Sequence, residues 1–274
     1  MRTMSDLARR MLAGPYLVWS LLFIIAPMIF VAYYAFTDKS GAFSLDSISG
    51  LSDYTEVFGR SAWYSLAATL ICLVIAYPLA LILANMKERT QTTLIMLIML
   101  PMWMSFIIRT YAWVCLLQDE GIINFALDSL KLPRLRMINT PGAVVLAMVY
   151  NYLPYMIIPL YNVLSKLDKS LLEASHDLGA NGFQSLTRVT FPLSMPGIAS
   201  GITMVFVPSV STFYISQKMS TGNILMIGDV IERQFMMSYN YNMGAAISLV
   251  LMSLIIVSMM VMRRFTEANG EVVV

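Results

Sequence analysis

Six runs of about twenty or more mostly apolar residues dominate the chain, at roughly 14–36, 62–85, 93–117, 143–164, 196–215 and 242–262. Inside them stands a single formal charge, Arg109. A helix needs about 20 apolar residues to cross the ~30 Å hydrocarbon core of a bilayer. Within that core each backbone N–H and C=O must be satisfied by its own segment, which leaves helices and closed barrels as the spanning structures. The runs therefore constrain the chain to an all-α integral membrane protein of about six transmembrane helices. Composition agrees, with 58% hydrophobic and 12% charged residues. A soluble domain carries about 25% charge, and a soluble chain this apolar would expose large patches and aggregate. The net charge of +2 is too small to imply nucleic acid, so none is expected as a partner.

The connectors between runs reach at most about 25 to 30 residues, with no repeat, linker or soluble domain, so residues 1–274 are expected to form one transmembrane domain. The first run is longer than a signal peptide's apolar region and lacks a small-residue cleavage site after it, so it is expected to be a span. Orientation follows from lysine and arginine in the flanks. With the N-terminus cytoplasmic, ten such residues lie inside and seven outside, and Arg9-Arg10 and Arg263-Arg264 abut the first and last spans. Both termini and the 165–195 loop are then cytoplasmic. Prolines 27, 78, 101, 154, 159 and 208 lie inside runs, where neighbouring helices can satisfy the carbonyls they free.

Covalent chemistry has no evident carrier. Cys72 and Cys115 sit in apolar runs outside any metal-ligand spacing, and read as buried inert thiols. One histidine, His176, excludes a multi-histidine metal site, and the 23 methionines read as soft packing residues. No phosphate-cradling G-x-x-x-x-G-K-[ST] occurs. Nor do paired intramembrane carboxylates or a histidine relay suited to proton coupling. The chain is thus expected to be no enzyme, with no metal and no cofactor of its own, and its energy source must lie elsewhere.

The segment between the fourth and fifth runs, 165–195, carries the most information. Asp168 is a good N-cap. Leu167, Leu171, Ala174 and Leu178 follow at steps of four, three and four and share a helical face. Gly179 sits where a helix end favours a left-handed residue. A second short helix is expected from about Gly182 to Val189, ended by Pro192. Such a helix–turn–helix with an apolar stripe either lies on lipid or docks a cytoplasmic partner.

Its residues resemble a known family. Glu173-Ala174-Ser175, then Gly179, then Val189, Phe191 and Pro192 match the spacing of the Glu-Ala-Ala loop in permeases of ABC importers, with Ser175, Val189 and Phe191 as conservative departures. The stretches Leu100–Trp113, Gly121–Asn124, Tyr152–Tyr161, Phe213–Ser216 and Ile227–Phe235 resemble B-type permease subunits of spermidine/putrescine importers. The resemblance implies a type I importer permease fold, a second homologous permease as heterodimer partner, two cytoplasmic ATPase subunits that hold ATP-Mg, and an extracytoplasmic polyamine-binding protein. It assigns ATPase coupling to Glu173, Ala174, Gly179, Leu171, Leu178 and Pro192. A permease for another solute, such as an anion or a metal chelate, is the nearest alternative. A secondary transporter is a more distant one.

A polyamine route would use carboxylates and aromatic faces, since cation–π contacts are worth about 0.5–2 kcal/mol. Asp119, Glu120, Asp229 and Glu232 stand at the expected outer span ends. Trp103, Tyr111, Trp113, Tyr150, Tyr155 and Tyr214 are the candidate aromatics, each also explicable as interfacial belt or packing. Met102, Phe106, Arg109 and Trp113 are spaced to share one helical face. Arg109 would serve as a structural or gating pair with carbonyls or a carboxylate, contact substrate, or snorkel to the interface.

Overall fold

The computed structural model describes residues 14–270. Arg2, Arg9 and Arg10, which bear on orientation, lie outside them. In chain order the longer helices are α1 Gly14–Ala35, α2 Thr55–Ala84, α3 Glu88–Met99, α4 Phe106–Leu117, α5 Ile122–Ser129, α6 Pro141–Leu164, α7 Lys169–Asp177, α8 Gly182–Leu193, α9 Met195–Val210, α10 Tyr214–Ser220, α11 Ile227–Met236 and α12 Tyr241–Gly270. The described residues form no named strand. Among the described residues, four helices are long and apolar enough to cross a membrane, or up to six when two bent helix pairs each count as one span. The chain is thus a multi-pass membrane protein.

Two expected spans are broken. The 93–117 run divides into Glu88–Trp103 and Phe106–Ser129, bent by 88°. Pro101 tightens the end of the first part into a 3₁₀ turn, and Met104 and Ser105 are extended, with ψ of 149° and 132°. Met102 therefore does not share a helix face with Phe106, Arg109 and Trp113. The 196–215 run ends early at Val210, leaving a 16-residue helix about 24 Å long. Residues 211–213 interrupt it before α10.

Proline also explains two π turns, Leu21–Ile25 and Leu186–Thr190. Ala26 N–H donates to Leu21 O and Phe191 N–H to Leu186 O, each five residues back and each just before a proline, Pro27 or Pro192. A proline ring clashes with the carbonyl four residues earlier, and the wider turn moves that carbonyl aside. Pro192 therefore does not end the second loop helix, which runs on to Leu193.

The chain divides into two compact units. Among the described residues, the first comprises residues 14–55 together with Val230–Ser253. Its core joins Ala35, Ala245 and Ala246, with Val31, Ile48, Leu51, Phe235 and Leu249 around them. Asn242 Nδ2 donates to Thr37 O at 2.7 Å and Tyr34 O at 3.1 Å, satisfying carbonyls that the end of α1 leaves open. The most apolar window of α1 is 0% buried, so this helix offers its side chains to lipid or to another chain.

The second unit, Glu56–Asp229 with Leu254 onward, is built around α6. Thr140 caps α6 by accepting from Ala143 N–H, and Pro141 fills its first turn, where the missing N–H costs nothing. Helix α2 lays a stripe of small residues, Ser61, Ser65, Ala68, Thr69, Cys72, Ala76 and Ala80, into the buried interior, the close-approach surface that membrane helices favour. Helix α9 packs as tightly, since a Cβ on Gly201 would stand 2.5 Å from Met156 Sδ and one on Gly197 3.1 Å from Pro159 O. Cys72 is buried as expected, whereas Cys115 on α4 is exposed.

Candidate coupling loop and aromatic pathway

Each end of α7 is closed by a local device. Asp168 accepts from Ser170 N–H at 2.9 Å, and these bonds hold its carboxyl below the usual carboxylate range. At the other end Gly179 N–H donates to His176 O and Ala180 N–H to Ser175 O, the bond pair of a Schellman motif. Gly179 has φ +83°, and no atom lies within 4 Å of where a Cβ would stand, so conformation and not space requires glycine. Asn181 then starts α8 with a capping box, exchanging bonds with Gln184 at 2.9 Å each way. Buried Ser175 donates to Leu172 O at 2.8 Å and accepts from Ser185 Oγ at 2.7 Å, tying the two helices together.

The end of α8 is anchored to the bundle through Ser194, whose Oγ lies 3.0 Å from Tyr77 Oη on α2. Tyr161 Oη of α6 donates to Gln91 Oε1 of α3, whose amide in turn donates to Ala84 O and Met86 O at and just after the end of α2. The outward face carries Leu171, 46% exposed, and Leu178, 89% exposed, with Glu173, Ala174 and Gly179 also exposed. Pro192 is exposed as well. Five of the six expected coupling residues thus gather on α7 and its C-terminal turn, and Pro192 follows in α8.

The expected pathway residues divide. Tyr111 and Tyr214 meet edge to face, with centroids 6.3 Å apart, and Trp113 meets Tyr150 the same way at 5.3 Å. Tyr155 lies 6.4 Å from Tyr152. Phe106, Ile107, Tyr152, Thr212 and Tyr214 help line a cavity of about 300 Å³. Trp103 stands apart before the α3–α4 break, 78% exposed. Asp119 and Glu120 are exposed in the α4–α5 turn, and Glu232 is half-buried on α11.

Asp229 corrects the picture of an acid open at a span end: it is fully buried, accepting from Ser216 Oγ and Met226 N–H at 2.7 Å each. The second bond makes it the first-turn carboxylate of α11, favourable toward the helix dipole. Gly228 explains how α11 reaches the α9–α10 break, since a Cβ there would stand 2.5 Å from Ser211 O.

Arg109 is buried on α4, with its guanidinium carbon 5.9 Å from the Phe106 ring centre. Its Nε and Nη1 have no hydrogen-bond partner among the described residues. Neither a carboxylate nor a carbonyl receives those two nitrogens, so the expected pairing does not form within the described chain.

Residues 76–268 match the family described as binding-protein-dependent transport system inner membrane component. The chain belongs to that family. Over 251 residues this permease is 36% identical to the spermidine/putrescine transport system permease protein PotB of Haemophilus influenzae, covering 87% of this chain and 88% of that one. Against PotB of Escherichia coli it is 37% identical over 244 residues, 85% and 88% of the two chains. An inner membrane ABC transporter permease protein of Escherichia coli, YdcU, is 29% identical over 263 residues, 88% and 83%. Among solved structures, a chain of a bacterial ABC transporter that imports the acidic polysaccharide alginate superposes with a TM-score of 0.75 at 20% identity, covering 95% and 96% of the two chains. At that identity the likeness shows the permease's fold.

Three features escape a reading of the sequence. The Ser175–Ser185 bond joins residues ten apart, and only the serine in place of an alanine hints at it. Asn124, buried, donates to Leu135 O at 3.0 Å and accepts from Leu135 N–H at 2.9 Å, shaping the loop after α5. Lys218 places its ammonium against Tyr111 and Tyr214, a contact no local motif announces.

Proposed function

We propose that this permease carries linear polyamines, spermidine or putrescine, through a membrane as one half of a heterodimer with a second permease. Two cytoplasmic ATPase subunits drive it, and an extracytoplasmic binding protein delivers the solute. The observation that carries the substrate reading is the similarity to PotB at 36% identity along 87% of the chain. Clustered aromatic faces at Tyr111, Tyr214, Trp113 and Tyr150 support it, because such faces attract ammonium groups without trapping them.

Both termini and the α7–α8 loop lie on the cytoplasmic side in this reading. Leu171, Ala174 and Leu178 fill an apolar groove on an ATPase subunit, and Glu173 pairs with a polar or basic group beside it. Closure of the ATPase pair pushes on α7–α8. The Tyr77–Ser194 anchor passes the displacement to α2, the bonds of Gln91 to Ala84 O and Tyr161 Oη carry it on to α3 and α6, and the spans alternate between open faces. The permease itself makes and breaks no covalent bond.

The test is ATP-driven uptake into vesicles holding the assembled importer and its binding protein. Spermidine and putrescine should accumulate and stimulate ATP hydrolysis. Hydrolysis stimulated by an anion or metal chelate, with no response to polyamines, would overturn the substrate reading. Uptake that persists without any ATPase subunit would overturn the importer reading.

A further inference from the structure

Lys218 stands on α10 one turn after Tyr214. Its Nζ lies 5.5 Å from the ring centre of Tyr111 and 5.7 Å from that of Tyr214. The two rings are inclined by 69°, so the ammonium is flanked by both. No carboxylate among the described residues is close enough to form an ion pair with it. The two aromatic faces supply negative potential to the ammonium, as in a cation–π cage. The string continues through Phe106, whose centroid is 6.1 Å from that of Tyr214, to the Arg109 guanidinium on Phe106. A cation stands at each end of this string with the three rings between them, and Phe106 and Tyr214 also border the 300 Å³ cavity.

A lysine side chain ends in a primary ammonium on a four-carbon stem. The end of a linear polyamine is the same chemistry, an ammonium on a short methylene chain. We propose that the Tyr111–Tyr214 pair is an ammonium subsite on the polyamine route, and that Lys218 is its tethered resident, displaced as substrate passes. This inference rests on the polyamine reading above. Lys218 and Tyr214 are half-buried and Tyr111 is 45% exposed, so the stem has room to swing aside. Exchanging one ammonium for another leaves the rings occupied in both states. The solute then meets neither a deep trap nor a bare repulsive site, as a transport pathway requires. A neutral or anionic solute has no such exchange to make.

The experiment uses the whole importer in vesicles and reads equilibrium binding of radiolabelled spermidine without the binding protein. Lys218→Met removes the ammonium and keeps an apolar stem. It should bind spermidine about three- to tenfold more tightly, the range one cation–π competitor accounts for. Lys218→Arg, which keeps a cation, should bind like the wild type. Tyr111→Leu added to Lys218→Met should abolish the gain, and Tyr111→Phe, which keeps the ring, should preserve it. Binding by Lys218→Met no tighter than wild type, or a gain that survives Tyr111→Leu, overturns the inference. If wild-type vesicles import spermidine in either of those cases, the function stands and only the role of Lys218 falls. Wild-type vesicles that import no polyamine at all overturn both.

Discussion

Ser185 Oγ donates to Ser175 Oγ across 2.7 Å, from one helix of the loop to the other, with both residues buried. Removing one partner leaves the other buried and unsatisfied, which costs about 1–3 kcal/mol, whereas removing both can be nearly neutral. Ser175→Ala still leaves the Ser185 hydroxyl without its acceptor, so it should destabilise more than Ser175→Ala/Ser185→Ala together. A double-mutant cycle on thermal unfolding of the purified permease measures the difference. Strictly additive effects would show that the bond is not formed.

Gly179 should be the most sensitive backbone position in the loop. At φ +83° any Cβ is strained by about 1–2 kcal/mol, although nothing nearby blocks it. Gly179→Asp therefore inserts and folds but re-aims α8. Together with Glu173→Lys, which reverses an exposed charge on α7, it should weaken co-purification of the ATPase or leave hydrolysis running without uptake. Normal import by both variants in reconstituted vesicles would show that the loop only rests on lipid.

Acid should fray α7 from its N-terminus. Bonds from the Ser170 backbone and side chain lower the Asp168 pKa in the folded chain. A carboxylate depressed on folding adds stability at pH above its unfolded value, about 4, and loses it as pH falls through the folded value. Amide exchange at residues 170–172 should therefore accelerate, relative to the rest of α7, only below about pH 4. Asp168→Asn, itself a good cap without a carboxylate, should remove that acid dependence and keep the helix.

Asp229 should answer to geometry more than to charge. Ser216 Oγ and Met226 N–H both donate to Asp229 Oδ2, so Asp229→Asn keeps one oxygen that can accept both and fits the same buried space, and the importer should still assemble. Asp229→Ala leaves both donors open and should cost about 1–3 kcal/mol for each one left buried, seen as reduced assembly by size-exclusion chromatography. Equal assembly by Asn and Ala variants would argue that the carboxylate does not hold the start of α11.

The helical class, the six runs and the loop's caps at Asp168 and Gly179 are legible in the sequence because each follows from local composition or a single residue's conformation. The breaks at Met104–Ser105 and at residues 211–213 are not. Hydropathy counts apolar atoms and is blind to backbone direction, and a proline either kinks, widens or ends a helix according to which neighbour takes up the freed carbonyl. Pro192 is tolerated by a π turn, while Pro101 closes a helix. Asp229 reads as an exposed acid because Ser216, its partner, belongs to another helix. Lys218 escapes notice because Tyr111 lies more than a hundred residues before it.

The buried guanidinium of Arg109 rests on Phe106 with two nitrogens unpartnered among the described residues. An ion held this way has lost its hydration with little direct return, and replacing such a group by an apolar one of similar length is often neutral or stabilising. If Arg109 only held the fold, Arg109→Met would lower the melting temperature of the assembled permease. The geometry predicts the opposite, an equal or higher melting temperature. It should come with reduced ATP-driven uptake, because the arginine's partner is then formed in another conformation or by the second permease. Arg109→Lys should keep the charge but not the planar fork that can bridge two acceptors, and should recover only part of the uptake. A melting temperature lower by more than about 4 °C in Arg109→Met, a drop on the order of 1 kcal/mol or more for a chain of this size, would assign the residue to structure instead.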